Sequence, residues 1–119
     1  MVEAEKIDKY LAFRCDWIHN TLRANPSNLF LLKVVGDSMI PVIIDGDTIM
    51  VDKTQDRPIH GKIFLLQYEV FLLVKRLRVE QEGLYAVSED QKMYSPIKLE
   101  QAHGSTKILG RILWFGMMV

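Results

Sequence analysis

From Leu29 onward the chain breaks into short apolar segments separated by turn residues, and no helical periodicity returns between them. Leu29 to Val35 runs into Gly36, and Thr48 to Val51 is entered through Asp45-Gly46-Asp47. Ile63 to Tyr68 and Val70 to Leu77 leave only Glu69 and its neighbours for a turn, Gly83 precedes Leu84 to Val87, and Lys107 to Trp114 closes the series. Short strands of this kind, with no helices between them to act as crossovers, predict an antiparallel or mixed β fold. Upstream the pattern differs. From Ala12 to Arg23, Phe13, Trp17, Ile18 and Leu22 recur at helical intervals and predict one short amphipathic helix. Asn25-Pro26-Ser27-Asn28 ends it, because proline disfavours helical geometry in the residue before it. The expected organisation is an N-terminal helix and turn over 1–28, followed by a mainly β domain over 29–119.

Composition narrows the function classes. At 119 residues the chain is one ordinary domain, and 49% apolar and 25% charged residues are globular values that argue against disorder. Fifteen basic and fifteen acidic residues cancel, whereas a domain that grips DNA phosphates by itself carries an excess of Lys and Arg. The single cysteine, Cys15, cannot form an internal disulfide and fits a reducing compartment. No apolar run approaches the roughly 18–20 residues that span a bilayer, and no signal pattern opens the chain. The sequence therefore reads as a cytoplasmic domain with no membrane segment. Cys15 and His19 lie one helical turn apart, but two ligands without a second pair do not make a metal site. Neither a metal nor a cofactor is expected.

Two segments carry candidate chemistry: Val35-Gly36-Asp37-Ser38-Met39-Ile40-Pro41 and Leu72-Leu73-Val74-Lys75-Arg76-Leu77. Ser38 follows a strand and a glycine and precedes a proline turn. That location exposes a hydroxyl and leaves nearby backbone N–H groups free to face an oxyanion. A serine hydroxyl needs a neighbouring base. His19, His60 and His103 read as surface helix, turn and loop, and nothing in their contexts points to such a base. Lys75 interrupts an apolar run. Strand alternation puts Phe71, Leu73 and Lys75 on one face and Leu72, Val74 and Arg76 on the other. A lysine on an apolar face is partly desolvated, which disfavours its ammonium form and lowers its pKa. The neutral amine could then take the Ser38 proton, the Ser–Lys variant of triad chemistry.

Gly36-Asp37-Ser38-Met39-Ile40-Pro41, Ile44-Asp45-Gly46-Asp47 and Val74-Lys75-Arg76-Leu77, in this order and with 37 positions between Ser38 and Lys75, resemble the three signature blocks of the LexA-like peptidase domains. Those occur in LexA-type and phage repressors and UmuD-type polymerase subunits and are related to signal peptidases. Ile108-Leu109-Gly110-Arg111-Ile112-Leu113-Trp114 is similar to their closing strand, so the resemblance runs from about Leu29 to Trp114. It implies a partly barrel-like β domain with Ser38 as nucleophile and Lys75 as general base. The N–H groups of Ser38 and Met39 match the oxyanion hole, and Asp45-Gly46-Asp47 matches a structural turn. It also implies a homodimer, contact with DNA only through an upstream headpiece, and self-cleavage in a linker stimulated by a RecA-type filament on single-stranded DNA.

The sequence departs from that pattern in one respect. Self-cleaving members are cut at an Ala-Gly or Cys-Gly bond some thirty-odd residues before the serine, and neither dipeptide occurs between Met1 and Ser38. Two readings stay open: the cut lies on a segment further upstream, or the domain is a non-catalytic dimerisation and sensing module with a vestigial Ser–Lys pair. A UmuD-like accessory subunit fits the length but meets the same objection. A trans-acting peptidase of the signal-peptidase kind lacks its membrane anchor here.

Overall fold

A computed structural model describes residues 2–4, 20, 22–99 and 106–117. Among the described residues eight strands make one sheet: β1 (Val2–Ala4), β2 (Leu29–Val34), β3 (Thr48–Asp52), β4 (Ile63–Tyr68), β5 (Phe71–Glu80), β6 (Gly83–Val87), β7 (Ile97–Leu99) and β8 (Thr106–Gly116). Their order in the sheet is β1-β2-β3-β8-β4-β5-β6-β7. Every described pairing is antiparallel, so of the two arrangements left open by the sequence the antiparallel one is realised. The sheet curls enough for β1 to approach β5. The fold is mainly β, as the segment pattern implies, and has the half-barrel form of the LexA-like domains.

The curl follows from burial on both faces. Along β4, Ile63 and Leu65 enter one cluster with Leu32, Val34, Ile49, Val51, Val74 and Ile112. Phe64 and Leu66, on the opposite side, join Leu77, Ala86 and Leu99. A strand covered on both sides needs apolar residues at every position rather than at alternate ones, which is why Ile63 to Leu66 reads as an uninterrupted apolar run. A third, smaller cluster pairs Leu31 with Met50, flanked by Leu22, Leu29 and Trp114.

The long strand β8 joins the two halves, pairing with β3 on one side and β4 on the other. Its Gly110 sits where β3 presses closest. A Cβ built there would meet the Asp52 carbonyl oxygen and the Val51 Cγ1 at 2.6 Å each. The β3–β8 register shifts between Met50 and Val51, and the β4–β8 register shifts between Leu65 and Leu66. Such bulges bend a strand and increase its twist.

Three local features differ from expectation. Val2–Ala4 forms an edge strand on β2 and Ile97–Leu99 an edge strand on β6, and neither three-residue segment was anticipated. Val70 belongs to the turn before β5 rather than to the strand, and it is exposed. The helix expected over 12–23 lies outside the described residues apart from its end: Asn20 is helical and Arg23 has a positive φ of 57°. Phe13, Cys15, Trp17, Ile18, His19 and His103 also lie outside them. The turn at Asn25 is present. Pro26–Asn28 is a single 3-10 turn capped by the Asn25 side chain, which accepts the Ser27 N–H.

Candidate active site

Ser38 sits in the connection between β2 and β3, and that connection is held at both ends. Val34 donates its N–H to the Asp47 carbonyl at 2.8 Å, and Gly46 donates back to the Val34 carbonyl at 2.9 Å. Within this frame the Asp45 carboxylate accepts the Gly36 N–H at 2.8 Å, and the Asp47 carboxylate accepts the Ile44 N–H at 3.0 Å. Gly36 and Gly46 carry φ values of 114° and 90°, a region that side-chain-bearing residues rarely enter. Asp45-Gly46-Asp47 is thus the brace of the serine loop.

Met39 and Ile43 fasten the loop from below. Both are buried in the larger cluster, and the Met39 carbonyl accepts N–H groups from Val42 and Ile43, both at 2.9 Å. Ser38 itself is half-buried. Among the described residues the N–H groups of Ser38 and Met39 donate to no protein acceptor. Those are the two groups that the family resemblance implies as oxyanion donors.

Lys75 occupies β5 directly opposite Phe64 of β4 and is only 6% exposed. Burial holds its amine below the ordinary lysine value of 10.5, because a low-dielectric setting disfavours the ammonium. Its hydrogen-bond partner is Ser88, whose Oγ lies 2.7 Å from Nζ. Tyr94 covers the amine from another side, with its ring centroid 5.3 Å from Nζ. No hydrogen bond joins Lys75 to Ser38 among the described residues, and no carboxylate is paired with Lys75.

One loop, residues 88–94, links the two halves of the site. Ser88 meets Lys75. Asp90 donates its N–H to the Ser38 carbonyl at 3.2 Å, and the Tyr94 hydroxyl donates to the carboxylate of Asp37, the neighbour of Ser38. That hydrogen bond raises the Tyr94 pKa, with burial and the nearby Asp37 and Asp90 charges adding to it. The loop is anchored by Arg76, which pairs with Glu89 at 2.6 Å and donates to the Gly61 carbonyl at 2.7 Å. Glu89 is thereby committed to Arg76 on the face opposite Lys75. His60 is occupied elsewhere, its Nδ1 accepting the Val79 N–H at 2.9 Å.

Ser88 and Tyr94 were not singled out from the sequence. The signal for Ser88 was present in the β5–β6 hairpin. A two-residue turn pairs Glu80 with Gly83, and the ladder continues to Arg76 opposite Val87. One further step puts Ser88 opposite Lys75. Tyr94 lies in a turn-rich segment with no periodicity to mark it. No group of three or more His, Cys, Asp or Glu among the described residues could hold a metal ion. No helix among them is long and apolar enough to cross a membrane.

Comparison with known proteins places the chain in a family. The Peptidase S24-like family pattern matches residues 1–113. A LexA repressor from Psychromonas ingrahamii is 37% identical over 87 residues, covering 72% of this chain and 41% of the repressor. A LexA repressor from Clostridium botulinum (strain Langeland) is 33% identical over 110 residues, covering 92% of this chain and 49% of the repressor. An uncharacterized HTH-type transcriptional regulator from Haemophilus influenzae is 26% identical over 102 residues, covering 85% of this chain and 43% of the regulator. The chain spans less than half the length of these relatives. With a family match over residues 1–113, LexA repressors 33–37% identical and a half-barrel β fold, the chain belongs to the Peptidase S24-like family as a LexA-like peptidase domain.

Proposed function

We propose that this chain is the regulatory, dimerising domain of a transcriptional repressor and that Ser38 and Lys75 form a self-cleaving dyad within it. The observation that carries this reading is the buried Lys75 amine, which has no counter-ion among the described residues and shares one loop with the Ser38 turn. A lysine in such a setting gives up its proton more readily than one in water. In the proposed step the neutral amine takes the Ser38 hydroxyl proton as Oγ bonds to the carbonyl carbon of the scissile peptide. The carbonyl π pair moves onto oxygen, facing the N–H groups of Ser38 and Met39. Collapse of that intermediate breaks the C–N bond, and the leaving amine takes the proton back from Lys75. Water then hydrolyses the ester by the same route. Contact with DNA falls to a headpiece outside this domain, in keeping with its zero formal charge. Homodimerisation and a RecA-type filament as trigger belong to the same proposal.

A second reading is favoured by one specific observation: neither Ala-Gly nor Cys-Gly precedes Ser38 in this chain. On that reading the domain dimerises and senses without cutting. Self-cleavage of the full-length protein at alkaline pH separates the two. High pH deprotonates the lysine, so cutting that Ser38→Ala and Lys75→Ala both abolish supports the dyad. An intact chain across the pH range, in a folded dimer, supports the sensing module.

A further inference from the structure

Ser38 lies in the connection between β2 and β3, and Lys75 lies on β5, with β8 and β4 between β3 and β5 in the sheet. The ladder therefore relates the two residues only across two intervening strands, while the 88–94 loop spans the gap directly. One end of that loop is fixed to β5, where Glu89 pairs at 2.6 Å with Arg76, the neighbour of Lys75. Its other end grips the serine segment twice. Asp90 donates its N–H to the Ser38 carbonyl at 3.2 Å, and the Tyr94 hydroxyl donates to the Asp37 carboxylate. Between the grips the loop closes on itself, with the Asp90 carbonyl accepting the Tyr94 N–H at 3.1 Å and the Asp90 carboxylate accepting the Met93 N–H at 3.2 Å.

Asp37 is a lever on the serine. Its carbonyl accepts the Ile40 N–H at 3.1 Å, which closes a turn over Ser38 and Met39, so whatever holds Asp37 holds that turn. The two grips are unequal. The Asp90 contact is at the long end of the N–H···O range, whereas a hydrogen bond to an ionised acceptor is roughly twice as strong as a neutral one. Asp37 is otherwise exposed, so without Tyr94 its side chain would be held by solvent alone. The Tyr94 ring meanwhile lies over the Lys75 amine, its centroid 5.3 Å from Nζ. One side chain thus faces the base with its ring and holds the residue before the nucleophile with its hydroxyl.

Resting on the dyad reading, we infer that Tyr94 is a positioning residue for the nucleophile. Its hydroxyl, through the Asp37 carboxylate, clasps the serine turn to the loop that β5 carries and so sets the distance from Ser38 to the Lys75 amine. Tyr94 acts through Asp37 and neither gives nor takes a proton in the reaction. Tyr94→Phe keeps the ring over Lys75 and removes the clasp alone. The midpoint of the pH profile for Ser38 modification, which Lys75 sets, stays where it is. The limiting rate at high pH falls about tenfold, for a displacement smaller than the roughly 1 Å that costs about a hundredfold. Asp37→Ala breaks the same bond from the other side and has the same effect. Asp37→Asn, which can still accept from the hydroxyl, keeps more of the rate than Asp37→Ala.

The experiment measures fluorophosphonate labelling of Ser38 against pH in the unsubstituted chain, in Tyr94→Phe, Asp37→Ala and Asp37→Asn, and in the Tyr94→Phe, Asp37→Ala double variant. Equal losses in the two single variants that break the clasp, an unmoved midpoint and a double variant no slower than either support the inference. An unchanged limiting rate in Tyr94→Phe overturns it. So does a double variant in which the two losses multiply, because the residues then act independently, and so does a moved midpoint with the limiting rate intact, because Tyr94 then acts on the amine. Failure of the folded, unsubstituted protein to label at any pH overturns the dyad itself, a result distinct from the others.

Discussion

The Asp45 carboxylate accepts the backbone N–H of Gly36 at 2.8 Å across nine positions of sequence. Through that contact the Asp45-Gly46-Asp47 turn holds the serine loop in place. Ser38 stands two residues beyond the donor, so the geometry of the hydroxyl depends on an aspartate that takes no part in the chemistry. Asp45→Ala is expected to cost about 1 kcal/mol of stability, a typical net value for a partly exposed hydrogen bond. The Gly36 amide should then exchange with solvent about fivefold faster, while amides of β4 keep their protection. Native-state hydrogen exchange on the two chains, beside urea unfolding, checks both.

Lys75 is a cost to the fold at neutral pH. Its folded pKa lies below the ordinary 10.5 because of burial, so between the two values the unfolded chain binds more protons than the folded one. Stability therefore rises with pH across that window. The penalty is present in full below the lowered value and disappears as pH reaches the ordinary one. Lys75→Met, similar in length and apolar, is expected to be more stable than the parent by about 1 kcal/mol near pH 7, even with Ser88 left without its partner. The gain should shrink toward pH 10.5. Chemical denaturation at several pH values reads this directly, and a Met variant less stable than the parent at pH 7 contradicts it.

Gly110 is required by close approach rather than by backbone conformation. A methyl group there would meet the Asp52 carbonyl oxygen and Val51 at 2.6 Å, and the first of these is main chain that cannot rotate away. Gly110→Ala is expected to cost about 3 kcal/mol or more, in the range of severe overpacking. Gly36→Ala, with open space around its Cβ, should lose less, and its loss is backbone strain at φ 114°. Comparing the thermal midpoints of the two variants tests that order.

Most of the sheet is legible in the sequence because its central strands are buried on both faces, and such strands announce themselves as apolar runs. Ile63 to Tyr68 is bounded as expected, and the segments at Leu29, Thr48, Leu84 and Lys107 are each recovered to within a residue or two. Val2–Ala4 and Ile97–Leu99 are different. Each is a three-residue edge strand, too short to carry a period, and it exists because a neighbour offers free hydrogen-bonding groups. At the site, Ser38 and Lys75 stand out because glycine, proline and an interrupted apolar run flank them. Ser88 does not, since a serine after a strand is an ordinary strand end. Its meaning comes from register, a long-range relationship that local composition does not encode. The alternation that put Lys75 among apolar residues is realised through Phe64 and Leu77, while Phe71 on the same strand is 51% exposed.

The most direct test of the central claim is the pH dependence of fluorophosphonate labelling at Ser38, located by mass spectrometry. In that reaction Oγ bonds to phosphorus, fluoride leaves, and the serine proton goes to Lys75, so no cleavable peptide is needed. The dyad predicts labelling that rises with pH along the Lys75 titration and falls at least about a hundredfold in Lys75→Met, the typical worth of a general base. Labelling confined to Ser38 but indifferent to the loss of Lys75, or absent throughout while the domain stays folded, would contradict it.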